Sequence, residues 1–289
     1  MTPRTQLYNV ARGAGMTRTE VVLTLVRMGV GADGWQDEVH RTEDDTVAAE
    51  GLEGLLIARG AADAVPTGWR DVYTKTTTRT VVAFYELATA LGILHDAGLD
   101  VAVLPGAALL CFYPDAGCRP MDDTDLLCAP GQTAAVAEIM MAQGWAATPR
   151  HPDLLSGEHV SIDLHDDLFH CARIEARRHA GWLDPSQVWS RRRQVCLEGH
   201  RVWVLEAEDE VLYTAAHALR HSYRRVTWLI DLALQLAETN LDMGRLRARG
   251  EACGLARPVL LGLTLLEQAR VNVPDRAQTW YRECQPGAL

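Results

Sequence analysis

Two aspartates separated by one residue, Asp123 and Asp125, are the part of this sequence best suited to chemistry. They lead into the apolar run at residues 126–128, which has the character of a strand, and side chains two positions apart on a strand project from the same face. Carboxylates held this close repel each other unless they share a cation, and such oxygen ligands suit Mg²⁺ or Mn²⁺. The spacing therefore predicts a divalent metal site.

A third carboxylate follows in a segment where apolar and polar residues alternate. Residues 158–165 have the period of a half-buried strand, with Asp163 and His165 on the polar face. Three acids on two neighbouring strands match the ligand set of two-metal phosphoryl or nucleotidyl transfer, in which Asp123 and Asp125 would hold the nucleotide-bound metal. Asp163 would help bind the second metal and accept the proton of an attacking hydroxyl. His165 could contact the nucleotide or the metal, or be a surface or supporting histidine.

A turn upstream of the aspartates is predicted to hold phosphate. Gly106 follows the short apolar stretch 101–104, and glycine lets a ligand approach the backbone closely. Ala107 would begin a helix, whose N-terminal N–H groups favour anions. Arg119 is a plausible clamp for a triphosphate, or alternatively an exposed loop arginine. The only lysine of the chain, Lys75, lies far upstream of this turn.

The elements that must position these residues divide the chain into three regions. Residues 1–98 are predicted to be helical, residues 99–205 to form the α/β core that carries the acids, and residues 206–289 to form a helical bundle. The fold class is α/β (α+β) with a small mixed sheet, and the acceptor would bind between the sheet and the bundle. We expect helices at 17–29, 45–59, 69–97, 132–143, 207–221, 226–238, 241–252 and 258–270, strands at 101–104, 123–128 and 158–165, a hairpin over 194–205 and a loose tail near 285–287.

One set of residues recurs in the order and spacing of a known family: Leu104, Gly106 to Leu109, Tyr113, Pro114, Arg119, Asp123, Asp125 to Leu127, Ile162 to His165, His217, Trp228 and Asp231. Their order and spacing resemble the uncharacterised nucleotidyltransferase family of the DNA polymerase β-like superfamily. The resemblance implies a polymerase β-like core, a nucleoside triphosphate as substrate and transfer of its nucleoside monophosphate to a hydroxyl as pyrophosphate leaves. Pro105 departs from the family pattern, because the family usually has lysine there. Asp122 and Thr124 also replace the usual glycine and isoleucine.

Two other functions compete with nucleotidyl transfer. A catalytically weak or inactive binding or regulatory protein of the same fold would explain Pro105, since a phosphate-binding lysine is missing. A metal-dependent phosphohydrolase could use His165, Asp166 and Asp167, but such a site needs further helical His and Asp ligands that the sequence does not place.

The composition of the chain limits the classes of molecule that the protein is expected to bind. The formal net charge of −10 argues against binding long nucleic acid through a broad basic surface. A small molecule, a peptide, a protein side chain or an RNA end remain as acceptors. Seven cysteines without a CxxC pair fit neither a disulfide framework nor a zinc knuckle. No stretch has the length and character of a signal peptide or membrane span, so we expect a cytoplasmic enzyme with no membrane partner.

Several histidines and charged residues in the C-terminal half of the chain have structural as well as functional interpretations. His217 and His221 have the i, i+4 spacing of a zinc pair, but no H-E-x-x-H motif accompanies them. Asp231 is expected to hold the bundle against the catalytic sheet. The run Arg191 to Arg193 is typical of a solvated face, and could contact an anionic acceptor.

Overall fold

The computed structural model describes residues 18–31, 47–48, 50–61, 66–121, 123–148, 151–169, 171, 175, 181–197 and 199–284. Within these ranges the chain has the mixed α/β fold that the sequence predicts, and it contains ten α-helices and a seven-stranded mixed sheet. Asp122 and the tail near 285–287 lie outside the described residues. None of the described helices has both the length and the apolar character needed to cross a membrane.

The sheet is built from seven strands in the order β3-β4-β5-β2-β1-β7-β6. The central pairs β2/β5 and β1/β7 are parallel, and the remaining pairs are antiparallel. Their bounds are β1 Val101–Val103, β2 Thr124–Cys128, β3 Ala146–Thr148, β4 His151–Ser156, β5 Ser161–His165, β6 Arg193–Leu197 and β7 His200–Val204.

The helices surround this sheet. The predicted helix at 45–59 is wrong as a single element, because the chain turns at Gly51, where φ is +69°, before a short helix begins. The bounds of the helices are α1 Arg18–Val30, α2 Glu53–Leu56, α3 Thr67–Asp96, α4 Thr133–Ala142, α5 Pro185–Arg191, α6 Ala207–Arg220, α7 Thr227–Ala237, α8 Met243–Ala252, α9 Ala256–Gln268 and α10 Asp275–Glu283.

Alternate residues of the central strands enter two different hydrophobic cores. Leu126 of β2 packs in the core that contains α3 and α4, whereas Leu127 packs in the core formed with α1, α6, α7 and α9. Because the side chains of a strand alternate between its faces, Asp125 projects to the same side as Leu127, toward the helical bundle. The sheet therefore directs its acidic residues at the bundle.

Two features that position the site were not specified by the sequence. The segment Ala108–Phe112 after the Gly106 turn is a 3₁₀-helix and not an α-helix. Strand β4, which the sequence did not predict, pairs with β5 and makes β5 an internal strand. Since internal strands are hydrogen-bonded on both sides, Asp163 has a more rigid support than the sequence alone indicates.

Candidate active site

Asp125 and Asp163 lie side by side on adjacent parallel strands. They are register partners in the β2/β5 ladder, and both side chains are partly accessible, at 23% and 33%. Burial raises the pKa of Asp163, and the negative charges of Asp125 and Asp153 raise it further, against the opposing effect of His165. The arrangement places two mutually repelling carboxylates at one point of the sheet.

His165 is the third member of this cluster and is almost fully buried. Its Nε2 lies 3.0 Å from Asp125 Oδ1, where it donates to the carboxylate, and 3.7 Å from Asp163 Oδ2. Burial disfavours the protonated ring, but the hydrogen bond to Asp125 and the two negative charges outweigh it and raise the pKa of His165. The imidazole thus occupies the position between the acids that a cation would take or share.

The three side chains fit a divalent metal ion. Ligand atoms of Asp125, Asp163 and His165 all lie within 4.8 Å of one another. Two carboxylates and an imidazole suit Mn²⁺ well, and the carboxylates alone suit Mg²⁺. His165 Nε2 would become a ligand only after losing the proton that it shares with Asp125.

Asp123 lies in the loop immediately before β2 and is exposed. The strand starts one residue later than expected, at Thr124, but Asp123 lines the same cavity as Asp125 and Asp163. It lies outside the close cluster of three side chains, and its share in metal binding stays a prediction.

The acidic cluster faces a cavity of about 470 Å³ between the sheet and the bundle. Gly106 and Ala107 line it beside Pro105, so the predicted phosphate turn and the acids share one space. Gly106 has a backbone φ of +132°, which residues with a side chain rarely adopt. No atom lies within 4 Å of the position that a Cβ would take. The turn is open enough for a ligand to approach its backbone.

Arg119 also lines the cavity, but it is not the exposed loop residue of the alternative interpretation. It is only 7% exposed, and its Nε and Nη2 donate to the Asp231 carboxylate of α7 at 2.9 and 2.8 Å. Tyr113 donates its hydroxyl to Asp231 as well, at 2.7 Å. Asp231 therefore joins α7 to the loop before β2, which confirms its expected structural role, while nucleotide binding by Arg119 stays a prediction.

Three arginines that the sequence interpretation missed line the wall opposite the sheet. Arg220 ends α6, and Arg224 and Arg225 follow in the connection to α7. Ser222 and Tyr223 in this connection have φ of +55° and +46°, which is uncommon for residues other than glycine and is often retained at functional sites. The dipeptide at 224–225 could have been recognised from its place within the family-like segment 217–231.

His217 and His221 form part of an aromatic cluster and contact each other at a ring distance of 4.6 Å. Trp228 of α7 lies 5.1 Å from the His217 ring and 5.4 Å from the His221 ring, and all three side chains line the cavity. Burial lowers the pKa of His217 to about 4, and the positive charges of His221 and Arg220 act in the same direction. His217 is therefore neutral at pH 7.

The interpretation of the arginine run at 191–193 as a solvated face is wrong. Arg191, Arg192 and Arg193 do not form a solvated face, because they are partly buried and paired. Arg191 donates to Asp209, Arg193 donates to Glu210, and the Arg192 guanidinium lies over Trp189 and Trp203 at 4.1 and 4.3 Å.

The phosphohydrolase interpretation also finds no support in the described residues. Asp167 accepts the backbone N–H of Phe169 at 3.0 Å, which is the bond of a local turn. The cluster of potential metal ligands in the described part of the chain pairs His165 with Asp125 and Asp163, and not with Asp166 or Asp167.

The sequence was compared with family models, curated proteins and solved structures. Residues 45–269 match a family model described as uncharacterised nucleotidyltransferase. A solved structure, an antigenic nucleotidyltransferase-like protein from Paracoccidioides brasiliensis, superposes with a TM-score of 0.43 at 15% identity, covering 70% of this chain and 92% of that one. No curated protein matches the sequence.

Proposed function

This chain belongs to the uncharacterised nucleotidyltransferase family, and on that basis we propose that it transfers a nucleoside monophosphate from a nucleoside triphosphate to a hydroxyl group. The observation that carries this proposal is the pairing of Asp125 with Asp163 across parallel strands, facing a cavity of about 470 Å³. Cavities of this size accommodate ligands as large as nucleotides.

Asp125, Asp163 and His165 would hold the divalent metal, with Asp123 at the edge of the same cavity. A bound Mg²⁺ or Mn²⁺ would neutralise charge on phosphate oxygens and lower the barrier to displacement at the α-phosphate. Asp163 is partly accessible and lines the cavity, so its carboxylate can reach a hydroxyl that is bound there. We therefore assign to Asp163 the acceptance of the proton from the attacking hydroxyl.

The triphosphate would lie between the Gly106 turn and the arginines of the bundle. Gly106 and Ala107 present backbone from the sheet side, while Arg220, Arg224 and Arg225 bring positive charge from the opposite wall. Arginine binds phosphate oxygens through several donors at once. This cationic wall supplies what the missing lysine at Pro105 would have supplied.

The acceptor would enter the same cavity, where Asp163 can reach its hydroxyl. A small metabolite, a peptide, a protein side chain and an RNA end all carry such a group. The net charge of −10 disfavours long nucleic acid.

A second candidate is a nucleotide-binding protein of the same fold with little or no turnover. Pro105 favours it, because this residue lines the cavity where the family usually has lysine. Proline offers neither a charge nor an N–H to a phosphate.

Pyrophosphate release separates the two candidates. The protein would be incubated with each NTP and Mn²⁺ or Mg²⁺, and separate reactions would contain a metabolite extract, a peptide mixture, a protein mixture or short RNA as the source of acceptors. Transfer predicts pyrophosphate release that is lost in the Asp125→Asn and Asp163→Asn variants and retained in an Asp166→Asn control. Tight nucleotide binding by the wild-type protein without pyrophosphate release would favour the binding protein.

A further inference from the structure

The cavity has an aromatic wall that the transfer chemistry does not use. It is formed by His217 and His221 of the α6 end and by Trp228 of α7, with ring distances of 4.6 to 5.4 Å among the three. Residues four apart on a helix lie on one face, so the two imidazoles present a continuous edge. All three side chains are partly exposed, and the cavity is the space they face.

The same wall contains buried polar atoms that have no hydrogen-bond partner among the described residues. These are Thr214 Oγ1 and His217 Nδ1, which lie one helical turn apart on α6. Thr214 is 4% exposed and lines the cavity. Buried polar groups are nearly always paired, so two adjacent ones beside a cavity indicate a ligand that pairs them.

The position of this wall relative to the acids fits one part of a nucleotide. Tyr213 lines the cavity together with Asp125 and Asp163. His217 is one turn farther along α6, about 6 Å from Tyr213 along the helix axis. His217 also interacts electrostatically with Asp125 and His165, so a group bound at His217 would lie beside the metal ligands within the same cavity.

We propose that Thr214, His217, His221 and Trp228 form the nucleobase subsite of this chain. The inference rests on the proposed function only in taking a nucleoside triphosphate as the ligand. A base is planar, stacks on indole and imidazole, and carries ring nitrogens and exocyclic groups for hydrogen bonds. His217 Nδ1 can donate or accept one hydrogen bond at such an edge, and the Thr214 hydroxyl can do either.

The test compares a nucleotide with its phosphate chain alone. Isothermal titration calorimetry with Mn²⁺ would measure Kd for inorganic tripolyphosphate and for the α,β-methylene analogues of the four NTPs, which cannot release pyrophosphate. At least one analogue should bind about 5- to 100-fold more tightly than tripolyphosphate, the range that stacking of one base contributes.

Three variants of the wall and one control define the result. Trp228→Leu and Thr214→Val should weaken binding of the nucleotide analogue and leave tripolyphosphate binding unchanged, while Trp228→Phe, which keeps a ring, should largely restore the preference. Trp189→Leu makes the same change outside the cavity and should behave as the wild type.

Equal Kd values for the analogues and tripolyphosphate in the wild-type protein would overturn the subsite. If Trp228→Leu weakens binding of the analogue and of tripolyphosphate equally, the subsite is also overturned, because Trp228 would then support the fold. If Trp228→Leu still binds the analogue more tightly than tripolyphosphate, the base lies elsewhere and the subsite is again overturned. Pyrophosphate release without any base preference would refute the subsite alone. A base preference that depends on Trp228, without pyrophosphate release, would refute the transfer reaction alone.

Discussion

Replacing Asp231 with alanine should destabilise the protein severely, because it leaves a buried guanidinium without its counter-charge. Arg119 is 7% exposed and Asp231 is 2% exposed, and two hydrogen bonds of 2.9 and 2.8 Å connect them. Burial acts against the charge of Arg119, yet the charge and hydrogen bonds of Asp231 outweigh it and raise the pKa of Arg119. Removing one partner of a buried pair costs about 3–5 kcal/mol.

The loss of the Tyr113 hydrogen bond to Asp231, at 2.7 Å, adds about 1 kcal/mol. The total is a large share of the roughly 5–15 kcal/mol that stabilises an ordinary folded protein. Equilibrium unfolding in urea, followed by far-UV circular dichroism, measures the change. The double variant Arg119→Met/Asp231→Leu should recover most of the lost stability, since apolar residues of similar size often replace a buried ion pair at little cost.

An exposed ion pair serves as the control. Arg247→Ala removes a surface arginine that pairs with Glu251 and Glu283, and it should cost no more than about 1 kcal/mol. The reasoning fails if Asp231→Ala costs as little as Arg247→Ala. It also fails if the double variant loses as much free energy of unfolding as its two single variants lose together, because the cost would then come from lost packing.

Three further predictions concern Glu210, in the first turn of α6, and the turn formed by Pro105 and Gly106. Burial raises the pKa of Glu210 to about 7 from 4.5, against the charge of Arg193, so the folded protein binds a proton more readily than the unfolded chain. The free energy of unfolding should therefore fall as pH rises through this window, and Glu210→Gln should flatten that dependence in urea titrations. Gly106→Ala should lower the free energy of unfolding by about 1–3 kcal/mol through backbone strain alone, measured by the same unfolding experiment. Pro105→Lys should tighten tripolyphosphate binding by calorimetry, and unchanged affinity would mean that the turn does not face the phosphates.

The metal-site residues were predictable because their signal is local. A period of two along a strand places Asp163 and His165 on one face, and the structure retains that alternation. What the alternation cannot give is strand order. Asp163 adjoins Asp125 because β5 pairs with β2 in parallel, and this contact joins segments about forty residues apart.

The partners of the arginines were not predictable for the same reason. The position of Arg119 before the acids predicts a phosphate ligand, but its counter-charge Asp231 lies 112 residues farther along the sequence. The run Arg191 to Arg193 looks solvated because three charges in sequence rarely find buried partners, whereas here the first turn of α6 supplies Asp209 and Glu210. Strand β4 escaped prediction because Pro152 and Asp153 disfavour strands.

The most direct test of the central claim is Mn²⁺ binding to the carboxylates of the sheet, measured by electron paramagnetic resonance of the free ion. We predict that Asp125→Ala and Asp163→Ala each weaken binding at least about tenfold, as loss of a metal ligand or its support does. Asp166→Ala, which removes an exposed acid next to His165 in sequence, should leave the affinity unchanged. Equal affinity in all four proteins, or a loss confined to Asp166→Ala, would contradict a metal site at the junction of β2 and β5.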